Sequence, residues 1–346
     1  MTITAVLPNL YQLRLPTPFP VGPVNVYLAP PSAAQDAPLT LIDVGPRTPD
    51  AQAALTAGLQ QLGYTSSDIG RILITHAHSD HYGLAGELAQ VSKATVYAHP
   101  LNRPLLSGTD DVWQRRIAFY EGLLDEAGVP KALRGRTSQM LQGMRRLVAP
   151  ISQILALDEG DVLTLSGQQW QVLFMPGHAS GLLCFYQPES RVLLSNDHLL
   201  RDISSNPFID PPPPGQSQEW RSLVDYVASL KRTAVLDDDV AWPGHGEPIY
   251  DHRALIQRRL DAHQQRAQKV FAALTDHPQT VYALSLTLFP ELGLMDRFMA
   301  LSEVLAHLGW LEVQGRVVAQ PQDGPTLWHV AACPQDSAQS RYHTFA

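Results

Sequence analysis

The apolar and polar positions of the chain form two kinds of pattern, which predict alternating strands and helices. Short apolar runs bounded by Gly, Pro or Asp predict strands at residues 4–15, 24–28, 39–43, 71–75, 94–98 and, in several pieces, across 161–195. Apolar residues at helical spacing predict helices at residues 50–62 and 84–91, and Gly63 ends the first of them. Strands that alternate with helices in this way are typical of an α/β fold.

Residues 101–150 interrupt the alternation and predict an inserted helical segment. No strand-like run occurs in this segment, and its apolar residues recur at helical spacing, which predicts two or three helices. Several aromatic and methionine residues either line a substrate pocket or pack in an ordinary core, namely Trp113, Phe119, Tyr120, Met140 and Met144. The arginines of the segment either meet an anionic substrate or form a solvated face, among them Arg115, Arg116, Arg134 and Arg145.

The rest of the chain is predicted to be mainly helical. An amphipathic helix is predicted at residues 217–230, with Ser217 as its N-cap and Glu219 in its first turn. Helices predicted at 251–274, 280–289 and 295–308 precede a hairpin predicted at 310–319, which turns at Gln314 and Gly315. These elements predict a first domain at residues 1–249 and a helical second domain at 250–346, with a loose tail from Gln335.

Composition and charge narrow the possible classes of protein. The 346 residues are 45% hydrophobic and include no apolar run long enough to span a membrane, and the N-terminus lacks the pattern of a secretion signal. We therefore expect a cytoplasmic protein. The net charge of −8, from 25 basic and 33 acidic residues, gives no general attraction for nucleic acid, although it leaves a local basic groove open. Cys184 and Cys333 are predicted to be buried free thiols.

Metal-ligating side chains follow directly on the strand predicted at residues 71–75. His76, His78, Asp80 and His81 lie within six residues, which would be costly in an ordinary core because each side chain needs a hydrogen-bonding partner once it leaves water. A divalent cation satisfies all of them. Imidazole and carboxylate are ligands suited to zinc, with iron, manganese or cobalt also possible. The alternative is a polar loop whose histidines face water.

The run HAHSDH at residues 76–81 resembles the HxHxDH signature of the metallo-β-lactamase fold. Further ligand residues follow in order, each just past a predicted strand: His178 in MPGHASG, Asp197 in SNDHLL and His245 in WPGHGEP. The resemblance implies a four-layer αββα sandwich that binds two divalent cations, with Zn²⁺ favoured and Fe or Mn as alternatives. It also implies that the first cation takes His76, His78 and His178, that the second takes Asp80, His81 and His245, and that Asp197 bridges them.

Three further features are interpreted in the light of this resemblance. Asp43 ends the predicted strand 39–43 and is either a turn cap or an acceptor that orients a ligand loop, and the resemblance favours the second role. His99 is interpreted as a structural loop histidine, because the family's ligand positions are already filled. The Pro-dense segment 203–215 is predicted to run over the surface near the metals.

The C-terminal elements also resemble a known module. Three helices followed by a hairpin form a winged-helix pattern, similar to the C-terminal module on one branch of metallo-β-lactamase-fold hydrolases, some of which cut single-stranded RNA. A helix that recognises nucleic acid should be basic, whereas residues 294–308 are mostly apolar and carry Asp296, Arg297 and Glu303. We therefore expect this module to be structural or to form a homodimer contact, with nucleic-acid binding as the alternative.

The ligand set predicts metal-assisted hydrolysis. Two cations bridged by Asp197 would hold a shared water or hydroxide, because metal coordination lowers the pKa of water from near 15.7 to roughly 7. Asp80 would orient this nucleophile and carry a proton. The apolar insert and the acidic charge favour a small ester, thioester or lactone as the substrate. One alternative is a phosphodiesterase or ribonuclease acting on single-stranded nucleic acid, and another is a metal-binding regulator that uses the C-terminal module on DNA.

Overall fold

The computed structural model describes residues 2–33, 36–212, 221–274, 277–292 and 294–331, without the side chains of 136–138 and 294–296. The predictions that concern Ser217, Glu219, Cys333, the side chain of Asp296 and the tail from Gln335 lie outside this description. No helix within the described ranges is both long enough and apolar enough to cross a membrane.

The first sheet is mixed. Its strands, in spatial order, are β1 (Ile3–Leu7), β2 (Leu10–Leu15), β3 (Val24–Ala29), β4 (Leu39–Ile42), β5 (Ile69–Ile74), β6 (Thr95–Ala98) and β7 (Leu155–Ala156). Neighbours are antiparallel from β1 to β4 and parallel from β4 to β7. The single strand predicted at residues 4–15 is wrong, because Asn9 takes a left-handed φ of 61° and turns the chain between β1 and β2.

The second sheet forms mainly from the segment predicted to be strand-rich. Its strands, in spatial order, are β12 (Val240–Pro243), β11 (Val192–Asn196), β10 (Leu183–Gln187), β9 (Gln168–Phe174) and β8 (Val162–Leu165). Only the pair β11 and β12 is parallel among these described strands. Every residue of β10 and β11 is buried, so both faces of these central strands are covered, and their sequences are accordingly almost continuously apolar.

Helices flank the two sheets and make up most of the insert and the C-terminal part. They are α1 (Pro49–Gln61), α2 (Ser79–Tyr82), α3 (Ala85–Ser92), α4 (Arg103–Ser107), α5 (Asp110–Glu126), α6 (Lys131–Arg145), α7 (Ser222–Ala234), α8 (His252–Ala273), α9 (Val281–Leu288) and α10 (Leu294–Val313). α1 begins where Thr48 Oγ1 accepts a hydrogen bond from the Ala51 N–H. Three of these helices, α4, α5 and α6, lie between residues 101 and 150, the segment in which two or three helices were predicted, and its status as an insert stays a prediction.

Buried apolar clusters show how these elements are layered. One cluster fills the space between the sheets and includes Tyr27, Leu73, Trp170 and Phe185. A second cluster packs the outer face of the first sheet against α1 and α3. A third packs the outer face of the second sheet against α7 and α8. The order of layers is therefore helix, sheet, sheet, helix, as the family resemblance implied.

The C-terminal hairpin lies further along the chain than predicted. It is formed by β13 (Val317–Gln322) and β14 (Gly324–Val330), and α10 continues to Val313. The hairpin predicted at residues 310–319 is therefore wrong. Gly315, at a φ of 68°, follows the end of the helix instead of turning a hairpin. Leu311, which the sequence pattern places in the hairpin, is fully buried on α10.

The helical insert and the C-terminal part share a core of their own. One buried cluster contains Leu124 and Val129 from the insert, together with Leu284, Leu308 and Trp328 from the C-terminal part. The Ala127 carbonyl accepts a 2.9 Å hydrogen bond from the Tyr282 N–H. The two segments therefore pack as one body beside the sandwich, and the predicted domain boundary at residue 249 stays a prediction.

Candidate metal centre

The seven predicted ligand residues lie at or just past the ends of strands from both sheets. His76 and His78 follow β5, Asp80 and His81 lie in α2, His178 follows β9, Asp197 follows β11, and His245 follows β12. These strand ends meet at one edge of the sandwich. Six of the seven side chains belong to buried residues, and His78 is half-buried. The alternative of a loop whose histidines face water is therefore wrong.

Three imidazoles form the first group of ligand atoms. The Nδ1 atom of His78 lies 3.0 Å from Nε2 of His76 and 3.1 Å from Nε2 of His178. Two nitrogens bound to one tetrahedral zinc, each about 2.0–2.1 Å from the ion, lie roughly 3.4 Å apart. The spacing of the three rings therefore fits ligation of one shared cation.

A second group lies beside the first, with a carboxylate between the two. The Nε2 atom of His245 lies 3.3 Å from Oδ2 of Asp80, and the Nε2 atom of His81 lies 4.0 Å from it. Oδ2 of Asp197 lies 3.4 Å from His81, 3.5 Å from His178 and 3.7 Å from His245. Because Asp197 reaches both groups, it occupies the position that a bridging ligand needs.

Asp43 fixes the orientation of His81 from behind. Its Oδ2 atom lies 2.7 Å from Nδ1 of His81, which leaves Nε2 of that ring directed at the centre. Asp43 also accepts hydrogen bonds from the Thr75 N–H at 2.9 Å and from the Thr75 hydroxyl at 2.8 Å. Such outer contacts fix the tautomer and direction of a ligating histidine. The predicted role of Asp43 as an orienting acceptor agrees with this geometry.

Two backbone carbonyls orient candidate ligand histidines in the same way, and the sequence interpretation missed both. Nδ1 of His178 lies 3.0 Å from the Asn206 carbonyl oxygen, and Nδ1 of His245 lies 2.9 Å from that of Pro23. Any residue carries a carbonyl, so the sequence holds no signal for these contacts. The described part of the Pro-dense segment lies beside the centre, as predicted, and the Phe208 ring centre lies 5.0 Å from that of His78.

Burial keeps the first group of imidazoles neutral at neutral pH. It lowers the pKa of His78 to about 4, that of His178 to about 3, and that of His76 well below its usual value. The neutral ring is the form that binds a metal. Burial also lowers the pKa of His81, but the surrounding carboxylates, chiefly that of Asp197, outweigh this and raise it well above its usual value. A cation that binds at the second group therefore displaces a proton.

Buried atoms without hydrogen-bond partners show that the centre fits a metal. His81 Nε2, His245 Nε2 and Asp197 Oδ1 are buried and have no partner in hydrogen-bonding geometry among the described residues. Leaving such groups unpaired costs roughly 1–3 kcal/mol each, and more when the group is charged. Divalent cations would satisfy these atoms, so the residues present fit the cofactor that the donor chemistry implies.

Gly244 cannot gain a side chain without displacing the candidate ligands beside it. A Cβ atom there would lie 2.0 Å from Asp197 Oδ1 and 3.0 Å from Cε1 of His81. We expect Gly244→Ala to reduce the zinc bound per chain and to lower hydrolysis about 100-fold, the loss that a misplacement of about 1 Å produces. In the control Gly122→Ala, the added Cβ meets no atom within 4 Å, so zinc content and activity should be retained. Full zinc content and activity in Gly244→Ala would contradict the arrangement.

Other residues singled out from the sequence lie outside the centre. The His99 ring stacks on Phe174, with ring centres 4.2 Å apart, and its Nε2 lies 3.2 Å from an Asp158 carboxylate oxygen, as expected of a structural histidine. Cys184 is a buried free thiol, as predicted. Three arginines of the insert pair with acidic residues on its exposed surface, namely Arg115, Arg134 and Arg145. The Arg116 guanidinium instead lies over Trp113, 5.4 Å from the ring centre.

Proteins similar to this chain are known from sequence and from structure. The profile of the metallo-beta-lactamase superfamily matches residues 19–245. The chain is 35% identical over 314 residues to the probable metallo-hydrolase YqjP of Bacillus subtilis (strain 168), covering 90% of this chain and 94% of that protein. The crystal structure of the metallo-beta-lactamase family protein TTHA1429 from Thermus thermophilus matches with a TM-score of 0.79 and 34% identity, over 94% of this chain and 100% of that one. The thioesterase pkgB of Emericella nidulans is 25% identical over 238 residues, which are 68% of this chain and 51% of that protein.

Proposed function

The chain belongs to the metallo-beta-lactamase superfamily of hydrolases, and we propose that its seven clustered ligand residues hold two divalent cations, with Zn²⁺ the best match to the donor set. One cation is assigned to His76, His78 and His178, the other to Asp80, His81 and His245, and Asp197 is assigned to both. The proposal is supported by the ligand spacings of 3.0–3.7 Å around His78 and Asp197 and by the unpartnered buried atoms that face the centre.

The chain's own contribution to the reaction is to place a proton acceptor at the centre. When bound, divalent cations polarise a scissile carbonyl and make water acidic enough to attack it at neutral pH. Burial raises the pKa of Asp80, but His81 and His245 outweigh this effect and lower it, so the carboxylate is ionised at neutral pH. We assign to the Asp80 carboxylate the orientation of the attacking water and the transfer of its proton to the leaving group.

An apolar cavity beside the centre is the observation that carries the choice of substrate. Its wall is formed by α5, the Pro-dense segment, α9 and α10, and includes Tyr120, Leu124, Phe208, Phe298 and Leu301. Phe208 lies at the boundary between this cavity and the ligands, because it lines the cavity and its ring also contacts those of His78 and His178. A substrate whose carbonyl lies at the cations can therefore direct an apolar acyl group towards Phe208. Of the aromatic and methionine residues considered as pocket residues, Tyr120 lines the cavity.

The cavity favours a short apolar acyl group on an ester or thioester. Its volume is about 10 Å³, which is room for a group of about the size of one water molecule or methyl group. A thioester agrees with the name of one relative, the thioesterase pkgB, although the similarity covers only 51% of that protein. We therefore propose a metal-dependent hydrolase of small acyl esters or thioesters.

A panel of acyl thioesters tests this substrate class. We expect thiol release to be faster for short acyl chains. Leu301→Ala enlarges the cavity, so we expect it to raise the ratio of kcat/KM for longer over shorter chains about tenfold. One methylene in an apolar pocket changes kcat/KM by roughly 10-fold or more. Leu286→Ala is the control, because Leu286 is 42% exposed on α9. An unchanged ratio in Leu301→Ala, or cleavage of single-stranded RNA without thiol release, would contradict the proposal.

The C-terminal module is assigned a structural role in place of nucleic-acid binding. The order α8, α9, α10, β13, β14 is similar to a winged helix. Taken by itself, this order favours the ribonuclease alternative. However, α10 packs into the core, since Val304, Leu308 and Leu311 are fully buried. α10 also contributes Leu301 and Leu305 to the cavity wall. We therefore propose that this winged-helix-like module supports the substrate cavity.

A further inference from the structure

A second cluster of metal-ligating side chains lies in the C-terminal module, away from the catalytic centre. It consists of His263 on α8 and of Glu303 and His307 on α10. One nitrogen or oxygen atom from each residue lies within 4.8 Å of the other two. We propose that these three residues bind a further divalent cation of the Zn²⁺ type, which joins α8 to α10 and has no part in hydrolysis.

The spacing of the two imidazoles fits one tetrahedral ion. Nδ1 of His263 lies 3.4 Å from Nε2 of His307. Two nitrogens that share a tetrahedral zinc are separated by roughly the same distance. The paired imidazoles of the catalytic centre have a similar spacing, at 3.0 and 3.1 Å. By contrast, 3.4 Å is longer than the usual distance of about 2.7–3.2 Å for an N–H hydrogen bond.

The hydrogen bond on the far side of His307 prepares its ring for a metal. Its Nδ1–H donates to the Glu303 carbonyl oxygen at 2.7 Å, which leaves the lone pair of Nε2 directed at His263. A ligating histidine generally donates its other N–H to such an acceptor. His178 and His245 have the same arrangement with the carbonyls of Asn206 and Pro23. The contact therefore repeats a feature of the catalytic ligands.

Glu303 supplies the third ligand from the same face of α10. It lies one helical turn before His307, so the two side chains project to the same side of α10, and a carboxylate oxygen of Glu303 lies within 4.8 Å of a ring nitrogen of each histidine. The Glu303 side chain is 22% exposed, which leaves solvent access for a fourth ligand such as water. Arg266 Nε forms an ion pair with the carboxylate oxygen Oε1 of Glu303 at 3.7 Å, which is beyond hydrogen-bonding distance, so Glu303 accepts no hydrogen bond from this nitrogen.

Burial supports ligation in preference to a solvated pair of histidines. His263 is 5% exposed and His307 is fully buried. Burial lowers the pKa of both rings to about 4, so both are neutral at neutral pH. Two neutral imidazoles and a carboxylate form a donor set suited to zinc.

Zinc content measured on the full chain tests the proposal. The protein is loaded with Zn²⁺, freed of excess metal by gel filtration, and analysed by inductively coupled plasma mass spectrometry. We expect His263→Gln and His307→Gln each to carry one zinc per chain fewer than the unaltered protein, with unchanged thioester hydrolysis. His329→Gln, on β14 of the same module and outside the cluster, should carry the full content. Equal zinc content in all four proteins would overturn the proposal and leave an ordinary contact between two histidines.

Glu303 allows a further test of the same site. Glu303→Gln removes a ligand from a partly exposed position, so it tests the site even if the histidine variants fold poorly, and it should also lose one zinc. The proposal does not depend on the catalytic assignment, because the difference of one zinc is counted against whatever the catalytic centre retains. If the unaltered protein hydrolysed no thioester but the difference of one zinc were found, only the proposed function would be contradicted. Loss of hydrolysis in the variants alone would contradict the claim that this cation has no part in hydrolysis.

Discussion

Asp197→Asn is expected to lower kcat/KM by about 1000-fold or more and to reduce bound zinc. The Asp197 carboxylate lies within 3.7 Å of histidines from both ligand groups, so the substitution removes the charge that the proposed cations share. Transition-state stabilisation by such metals is worth several kcal/mol, and about 1.36 kcal/mol corresponds to each tenfold change in rate. Steady-state kinetics on a thioester, together with zinc analysis, measure both effects.

Asp202→Asn is the matched control for this substitution. Asp202 follows closely in the chain, but its side chain is 64% exposed and pairs with Arg201 on the surface. The Asp202→Asn variant should retain its zinc and its activity. If Asp197→Asn kept both zinc atoms of the catalytic centre and full activity, Asp197 would not be a ligand.

Asp80→Asn is expected to lower kcat about 100- to 10,000-fold, the range for loss of a positioned proton acceptor. The three-histidine group does not include Asp80, so one zinc per chain should remain at the catalytic centre. Kinetics that separate kcat from KM, with zinc content measured on the same sample, distinguish loss of proton transfer from loss of all metal. Glu87→Gln, an exposed nearby carboxylate paired with Arg47, should behave as the unaltered protein. A change in KM with unchanged kcat would contradict the role assigned to Asp80.

The positions of the proposed ligands could be predicted because they follow short apolar strands and match the order of the family resemblance. The spacing in HAHSDH, followed by His178, Asp197 and His245, therefore led to residues that the structure brings together. The contacts that orient these ligands were less predictable. Asp43 could be found because it is acidic and ends a strand, whereas the carbonyls of Asn206 and Pro23 leave no trace in the residue type.

Errors in the predicted elements arise where a turn signal has two interpretations. Gly315 is compatible with a hairpin turn, but a left-handed glycine also follows the end of a helix, and the burial of Leu311 favours the longer helix. Asn9 lies within one continuous apolar pattern, although its left-handed conformation divides that pattern into two strands.

Contacts between distant segments could not be predicted from the pattern of residues. The apolar cavity needs both the insert and α10, which are joined through packing around Leu124 and Leu284. The cluster at His263 and His307 likewise depends on how α8 crosses α10, because the two histidines are 44 positions apart in the chain. Periodicity predicts each helix but does not determine which faces meet.

X-ray diffraction data collected at the zinc absorption edge from crystals of the active, zinc-loaded enzyme test the two-cation centre most directly. The proposed ligand sets predict two anomalous peaks on either side of the Asp197 carboxylate, one bound by His76, His78 and His178, and the other by Asp80, His81 and His245. A crystal of active enzyme with one anomalous peak or none among these seven residues would contradict the two-cation centre.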